Sequence, residues 1–181
     1  CCLWIIVMSR PAETWSIDGS AAVTHLDFYV DLADEQDRDG TLFRLLLSPS
    51  ADLGDGWKLT PALTFSRSST EGADFDSRGV RLETALASPT LSGFQLSGGF
   101  FYALDRYDHD NSVAGFVVKR KDAALGLTLA LQRRCDELLG VTPVLAVAWS
   151  AHGSNIDAYD YDRWTVTIGI GIPLIGDLLG G

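Results

Sequence analysis

The stretch Ala123-Ala-Leu-Gly-Leu-Thr-Leu-Ala-Leu-Gln132 decides the fold. Leu125, Leu127, Leu129 and Leu131 fall at every second position, with Gly126, Thr128, Ala130 and Gln132 between them. A period of two marks a β-strand, because successive side chains leave opposite faces of a pleated backbone. The next two segments repeat it. Val141, Pro143, Leu145, Val147 and Trp149 alternate with Thr142, Val144, Ala146, Ala148 and Ser150, and Trp164, Val166, Ile168, Ile170 and Ile172 alternate with Arg163, Thr165, Thr167, Gly169 and Gly171.

Working back toward the N-terminus, the same pattern appears at Phe94–Leu104, Val80–Leu86, Trp57–Ser66 and Phe43–Leu53, and more weakly at Trp15–Val23. This predicts eight strands, each near the roughly 9–11 residues that cross a bilayer at a tilt. The links alternate in length. Short ones fall at Gly54-Asp-Gly56, Ser88–Gly93 and Arg134–Gly140, and longer polar ones at about His25–Gly40, Ser68–Asp76, Tyr107–Val118 and Gly153–Tyr161. The expectation is an all-β, antiparallel up-and-down transmembrane β-barrel of about eight strands over residues 13–173. Residues 1–12 are an N-terminal tail or fragment end, residues 174–181 a C-terminal tail, and both barrel ends emerge on the short-turn side. Whether the eight strands are a complete small barrel or the C-terminal part of a larger one stays open.

Composition narrows the alternatives. A chain of 181 residues suits one domain, and 46% hydrophobic residues are too many for intrinsic disorder. The formal charge of −10 argues against nucleic acid, since phosphate binding needs a basic face. Cys1, Cys2 and Cys135 form neither a metal set nor a disulfide framework. No apolar run reaches the roughly 18–20 residues of a transmembrane helix.

A soluble barrel or sandwich would also alternate, with its apolar face turned inward. Two features favour the membrane. On the apolar face Trp15, Trp57 and Phe94 gather at the short-turn end, while Phe43, Phe65, Tyr102, Trp149 and Trp164 gather at the long-loop end. Aliphatic residues fill the space between, and two aromatic girdles around an aliphatic band suit the two interfaces of a bilayer. The other face is rich in Gly, Ala, Ser and Thr, as the narrow lumen of a small barrel requires. Outer-membrane lipid is then the first expected partner, in the outer membrane of a Gram-negative bacterium.

On the lumen register stand Arg44, Asp52, Arg81, Glu83, Asp105, Arg120, Asp122 and Arg163. Both signs are present, which predicts cross-strand ion pairs bracing the interior. Asp37-Arg-Asp39 and Asp108-His-Asp110 have alternate spacing suited to calcium but lack the glycine and distal glutamate of an EF-hand loop, so no metal site is expected. His25, His109 and His152 have no neighbouring nucleophile motif, and Ser150 beside His152 lacks an announced orienting group; no catalytic site and no cofactor are expected.

In the C-terminal part, Leu139-Gly-Val-Thr-Pro-Val-Leu-Ala-Val-Ala-Trp149 leads to Ser154-Asn-Ile156 and Tyr159-Asp-Tyr-Asp-Arg163. This resembles the closing hairpin of the surface lipoprotein assembly modifier (Slam) family of outer-membrane proteins. Arg120-Lys-Asp122 and Ser97-Gly-Gly-Phe-Phe-Tyr102 fit the same pattern, and the best match runs from about Gly93 to Ile172. The resemblance implies a barrel that delivers lipoproteins to the cell surface, with surface lipoproteins as partners and Ser154, Asn155, Tyr159, Asp160, Tyr161, Asp162 and Arg163 as its motif. By charge, Asp160, Asp162 and Arg163 would staple the last loop to the barrel mouth, with Arg163 reaching Asp105 or Asp122. Two other readings remain: a structural or adhesive surface barrel with acidic loops, and a soluble ligand-binding barrel.

Overall fold

The structure is a computed structural model that describes residues 3–12 as backbone, and residues 14–27, 37–133 and 142–171 in full. It is a single antiparallel sheet in which every strand pairs with its neighbours in sequence. The strands are β1 (Leu3–Ala12), β2 (Trp15–Leu26), β3 (Gly40–Gly54), β4 (Trp57–Thr70), β5 (Ser77–Ala87), β6 (Phe94–Asp110), β7 (Lys119–Arg133), β8 (Thr142–Ser154) and β9 (Tyr161–Gly171).

The eight expected strands are all present in the expected order. The correction is at the start: the run read as a tail is a ninth strand, β1, paired with β2 from Leu3 opposite Val23 to Ala12 opposite Trp15. Its apolar residues are contiguous, so the period-two signal that revealed the others is absent. One consequence is directional. β1 runs from the long-loop end toward the short-turn end, as β9 does, so the two outer strands of the sheet are parallel in direction.

The turns follow local chemistry. Between β3 and β4 the chain reverses through Gly54, Asp55 and Gly56, whose φ angles of 89°, 52° and 79° lie in the left-handed region that glycine tolerates best. At the other end, three 3-10 turns at Ala73–Phe75, Ser112–Ala114 and Asp157–Tyr159 sit within the long loops. The 134–140 link and the 174–181 tail fall outside the described residues, as do Cys1, Cys2 and Cys135.

Register shows which side is which. One row runs Leu47, Leu63, Leu82, Tyr102, Leu125 across β3 to β7. Another runs Leu86, Gly98, Leu129, Val147, Val166 across β5 to β9. These residues form the exposed face: Leu47 is 47% exposed, Leu82 51%, Leu129 56% and Ile168 83%. The opposite face carries rows such as Thr60, Ala85, Gly99, Thr128, Ala148 and Thr165. Among the described residues the only buried apolar ones are Ala22 and Ala103, both small. Among the described residues there is no conventional hydrophobic core: one face of the sheet is apolar and exposed, and the other is small and polar.

Candidate functional site

The small, polar face carries bulky residues at two levels. In the middle, Arg81 bonds Glu83 two residues on, its Nη2 2.7 Å from Oε1, and lays its guanidinium 3.8 Å above the Phe101 ring. Phe101 in turn covers Gly126, the residue directly opposite on β7. Two cavities adjoin these residues. Toward the loop end lies a cavity of about 450 Å³ lined by Arg44, Arg81, Glu83 and Asp105, and toward the turn end one of about 370 Å³ lined by Phe101, Ala85 and Thr128.

The second level is a cluster at the loop end, just beyond the last outward apolar residues of its strands, Leu104 on β6 and Ala123 on β7. Arg120 Nε donates to both Asp122 oxygens, at 3.0 and 2.8 Å. Both side chains are nearly out of water, 10% and 1% exposed. The guanidinium is held between two rings, 3.5 Å from the Tyr159 centroid and 4.4 Å from that of Tyr107. His152 places Nε2 3.2 Å from Asp122 Oδ2 without hydrogen-bond alignment, and stacks on Tyr161 at 4.9 Å and 7°. Asp105 faces Asp122 directly across β6 and β7.

These contacts set the charges. Burial alone would raise the Asp122 pKa, but the bonds from Arg120 and Ser154 and the Arg120 charge outweigh it and hold the carboxyl below its ordinary value. Asp105 goes the other way: burial first, then the neighbouring Asp122 charge, raise it. Tyr107 is pushed up to about 12, chiefly by burial. Arg120 loses solvation yet ends above its usual value, because the Asp122 bond and the tyrosines favour its charged form.

The expected lumen charges therefore separate into groups. Arg120 and Asp122 form the central pair, while Arg81 and Glu83 bond each other along one strand. Arg44 lines the upper cavity with Asp105. Arg163 is exposed and stands opposite Ser150 on β8. The expected reach from Arg163 to Asp122 is corrected: Arg120, two residues away on the same face of the same strand, occupies that carboxylate. Asp52 accepts from the Gly54 amide at 2.8 Å, capping the turn.

The closing motif is a clamp between strands and loops. The Asn155 side chain accepts from the Lys121 amide at 2.6 Å and donates to the Lys119 carbonyl at 2.9 Å, tying the last loop to the start of β7. Asp160 accepts from the Ser154 amide, closing the loop on itself. Tyr159 covers Arg120 and its hydroxyl lies 3.4 Å from Asn111 Nδ2, while Tyr161 backs His152. Asp162 and Arg163 are exposed.

From Asn111 the clamp extends to the other loops. Asn111 is 1% exposed and accepts from the Val113 amide at 3.1 Å. Next to it the Ser112 amide and hydroxyl both donate to Asp74, itself 3% exposed, in the loop between β4 and β5. The aspartates singled out for alternate spacing are engaged by protein: Asp37 accepts from the Asp39 amide at 2.9 Å, and Asp108 pairs with Arg67. Sequence reading missed Tyr107 and Asn111, because nothing local marks them; the fold sets the Tyr107 ring on Arg120 and Asn111 beside Tyr159.

A family model of proteins of unknown function, DUF2860, matches residues 6–172 of the chain. The chain belongs to that family. No curated protein and no solved structure matches it. The match takes in most of β1, so the strand that the alternation did not reveal is part of what the DUF2860 pattern covers.

Proposed function

We propose that this DUF2860 chain forms the wall of an outer-membrane β-barrel, its apolar rows against lipid and its small polar rows lining the interior. The observation that carries the reading is the continuous exposed belt, which runs from Leu45 and Leu47 on β3 to Ile168 and Ile170 on β9, while among the described residues two alanines are all the apolar burial there is. A soluble domain of this size would bury many large apolar side chains, and the cost of leaving such a belt in water has no compensation inside. Trp15, Trp57 and Phe94 at one border and Phe43, Phe65, Tyr102 and Trp164 at the other are all exposed on that belt, as interfacial girdles would be. Trp149 joins the second border with its ring 6.4 Å from Trp164.

The test is spontaneous folding of the full chain into neutral phosphatidylcholine bilayers, with protection of the belt from water-soluble thiol reagents at single cysteines placed at Leu82 or Leu129. Protection at both supports the reading. A clear, detergent-free monomer with both sites reactive refutes it.

Within that reading we assign the barrel to delivery of lipoproteins to the cell surface, on the strength of the resemblance of its Tyr159–Arg163 motif to that of Slam-type proteins. The motif's contacts to β7 and to Asn111 make it the anchor of the external loops. Such a rigid mouth suits a protein that passes a partner outward. Unchanged surface display of lipoproteins after deletion of the gene removes the transport role and leaves the barrel standing.

A further inference from the structure

The loop-end border of the outward face carries a feature that the lumen chemistry does not use. Arg67 stands directly opposite Arg78 across β4 and β5, Arg78 opposite Arg106 across β5 and β6, and Arg106 opposite Lys121 across β6 and β7. Four cations thus form one unbroken register line on a chain whose net charge is −10. At about 4.8 Å between strands the line is about 14 Å long.

Like charges directly opposite on adjacent strands repel one another, so such a row calls for an anion. Asp108 provides one carboxylate, paired with Arg67 and 3.8 Å from Arg78 Nε. Arg106 and Lys121 are exposed and have no ion pair with a described residue. Directly beneath the cations, toward the middle of the belt, the next outward row is Phe65, Val80, Leu104 and Ala123. A groove of about 490 Å³ joins the two rows, with Arg78 and Arg106 on one side and Phe65, Val80 and Leu104 on the other.

We propose that this groove binds the headgroup of a phosphate-bearing lipid in the leaflet at the long-loop end. The lipid's phosphates lie on Arg78, Arg106 and Lys121, and the first segment of its acyl chain lies along Phe65, Val80 and Leu104. Guanidinium groups offer paired donors to phosphate oxygens, and the row is long enough for two phosphates. The half-apolar wall selects a lipid over a free anion, and the groove sits where the apolar belt gives way to charge, the height of a headgroup. The inference rests on the outward face being lipid-facing.

The experiment uses the full chain folded in phosphatidylcholine nanodiscs, titrated with diphosphoryl lipid A and with the same lipid stripped of phosphate. Expected is tight association with the first only. Arg78→Gln with Arg106→Gln should weaken it by about 5-fold for each charge removed. Arg78→Lys with Arg106→Lys should retain most of it, and Lys58→Gln, at the opposite end, should leave it unchanged. Heat-modifiable migration on gels verifies that each variant is folded. Equal binding of the two lipids, or displacement by millimolar inorganic phosphate, overturns the proposal while the membrane reading stands. Failure of the wild-type chain to enter the nanodiscs at all overturns both.

Discussion

At Asp122 several neighbours compete over one proton. Burial favours the neutral acid, yet Arg120 and Ser154 favour the carboxylate and prevail, so the pKa in the folded protein is depressed. A depressed carboxyl contributes stability that is complete above its unfolded value, near 3.9, and that disappears as pH falls through the folded value. Asp105, opposite, has a raised pKa and the contrary sign: its penalty is fully present at neutral pH and is relieved on acidification. Unfolding measured from pH 7 downward should show stability rising as Asp105 protonates and then dropping as Asp122 does. Asp105→Asn should erase the rise alone. Asp122→Ala strands the Arg120 guanidinium, 10% exposed, and should cost about 3–5 kcal/mol at pH 7, a loss that a denaturation midpoint would read. A second residue-level test is Gly126→Ala. The new Cβ would overlap Phe101 Cε1 and lie 2.9 Å from the Trp149 carbonyl oxygen, a clash worth about 1–3 kcal/mol. Phe101→Leu in the same chain should recover part of it. The cross-strand partners, Asp105 and Ser154 for Asp122 and Phe101 and Trp149 for Gly126, could not be read from the sequence, because facing residues on different strands are fixed by register, and register depends on loop lengths and bulges. The lumen positions of Arg120 and Asp122 were visible in the alternation; that they bind each other, and not Arg163, was not.

For whole strands, alternation carries almost everything. β3 to β9 announce themselves because one face of the sheet is apolar and exposed while the other is small and polar, so the apolar residues recur with a period of two. Their loop-end limits were set too short. Arg67, Arg78, Arg106 and Lys121 stand just past the alternating apolar positions and outside the expected loops, yet they continue the β4 to β7 ladders, which is why the basic row emerges only with the structure. β1 was missed for the opposite reason, its apolar residues being contiguous in sequence with no alternation. The strand argument makes a paired prediction on β7, where Leu129 is 56% exposed outward and Thr128 points to the interior opposite Gly99 and Ala148. Leu129→Arg should cost about 2–4 kcal/mol of folding stability in a bilayer, since it puts a charge on the lipid side near the midplane. Thr128→Arg should cost less, its effect arising from crowding within the lumen. Equal losses in bilayer unfolding titrations would mean that the two faces have been exchanged.

For the molecule as a whole, the question is what happens at its outer strands. β9 is paired on one side by β8, and its outward residues are more exposed than the partners they face: Ile168 83% against 48% for Leu145, and Val166 66% against 38% for Val147. Along its other side the backbone N–H and C=O groups of every second residue have no partner strand among the described residues. In hydrocarbon each unpaired group costs several kcal/mol, so a strand at this depth does not persist with an open edge. Because β1 and β9 run in the same direction, a direct junction between them would be a parallel ladder, whereas a strand of opposite direction would complete an antiparallel one. Either junction covers the edge. Hydrogen exchange of the chain folded in bilayers should therefore protect successive amides from Thr165 to Ile170 alike, those directed at β8 and those directed away. In detergent conditions that loosen the junction, the second set should exchange first. Fast exchange of alternate amides in the intact bilayer would show that the edge remains open, which is incompatible with a lipid-embedded wall.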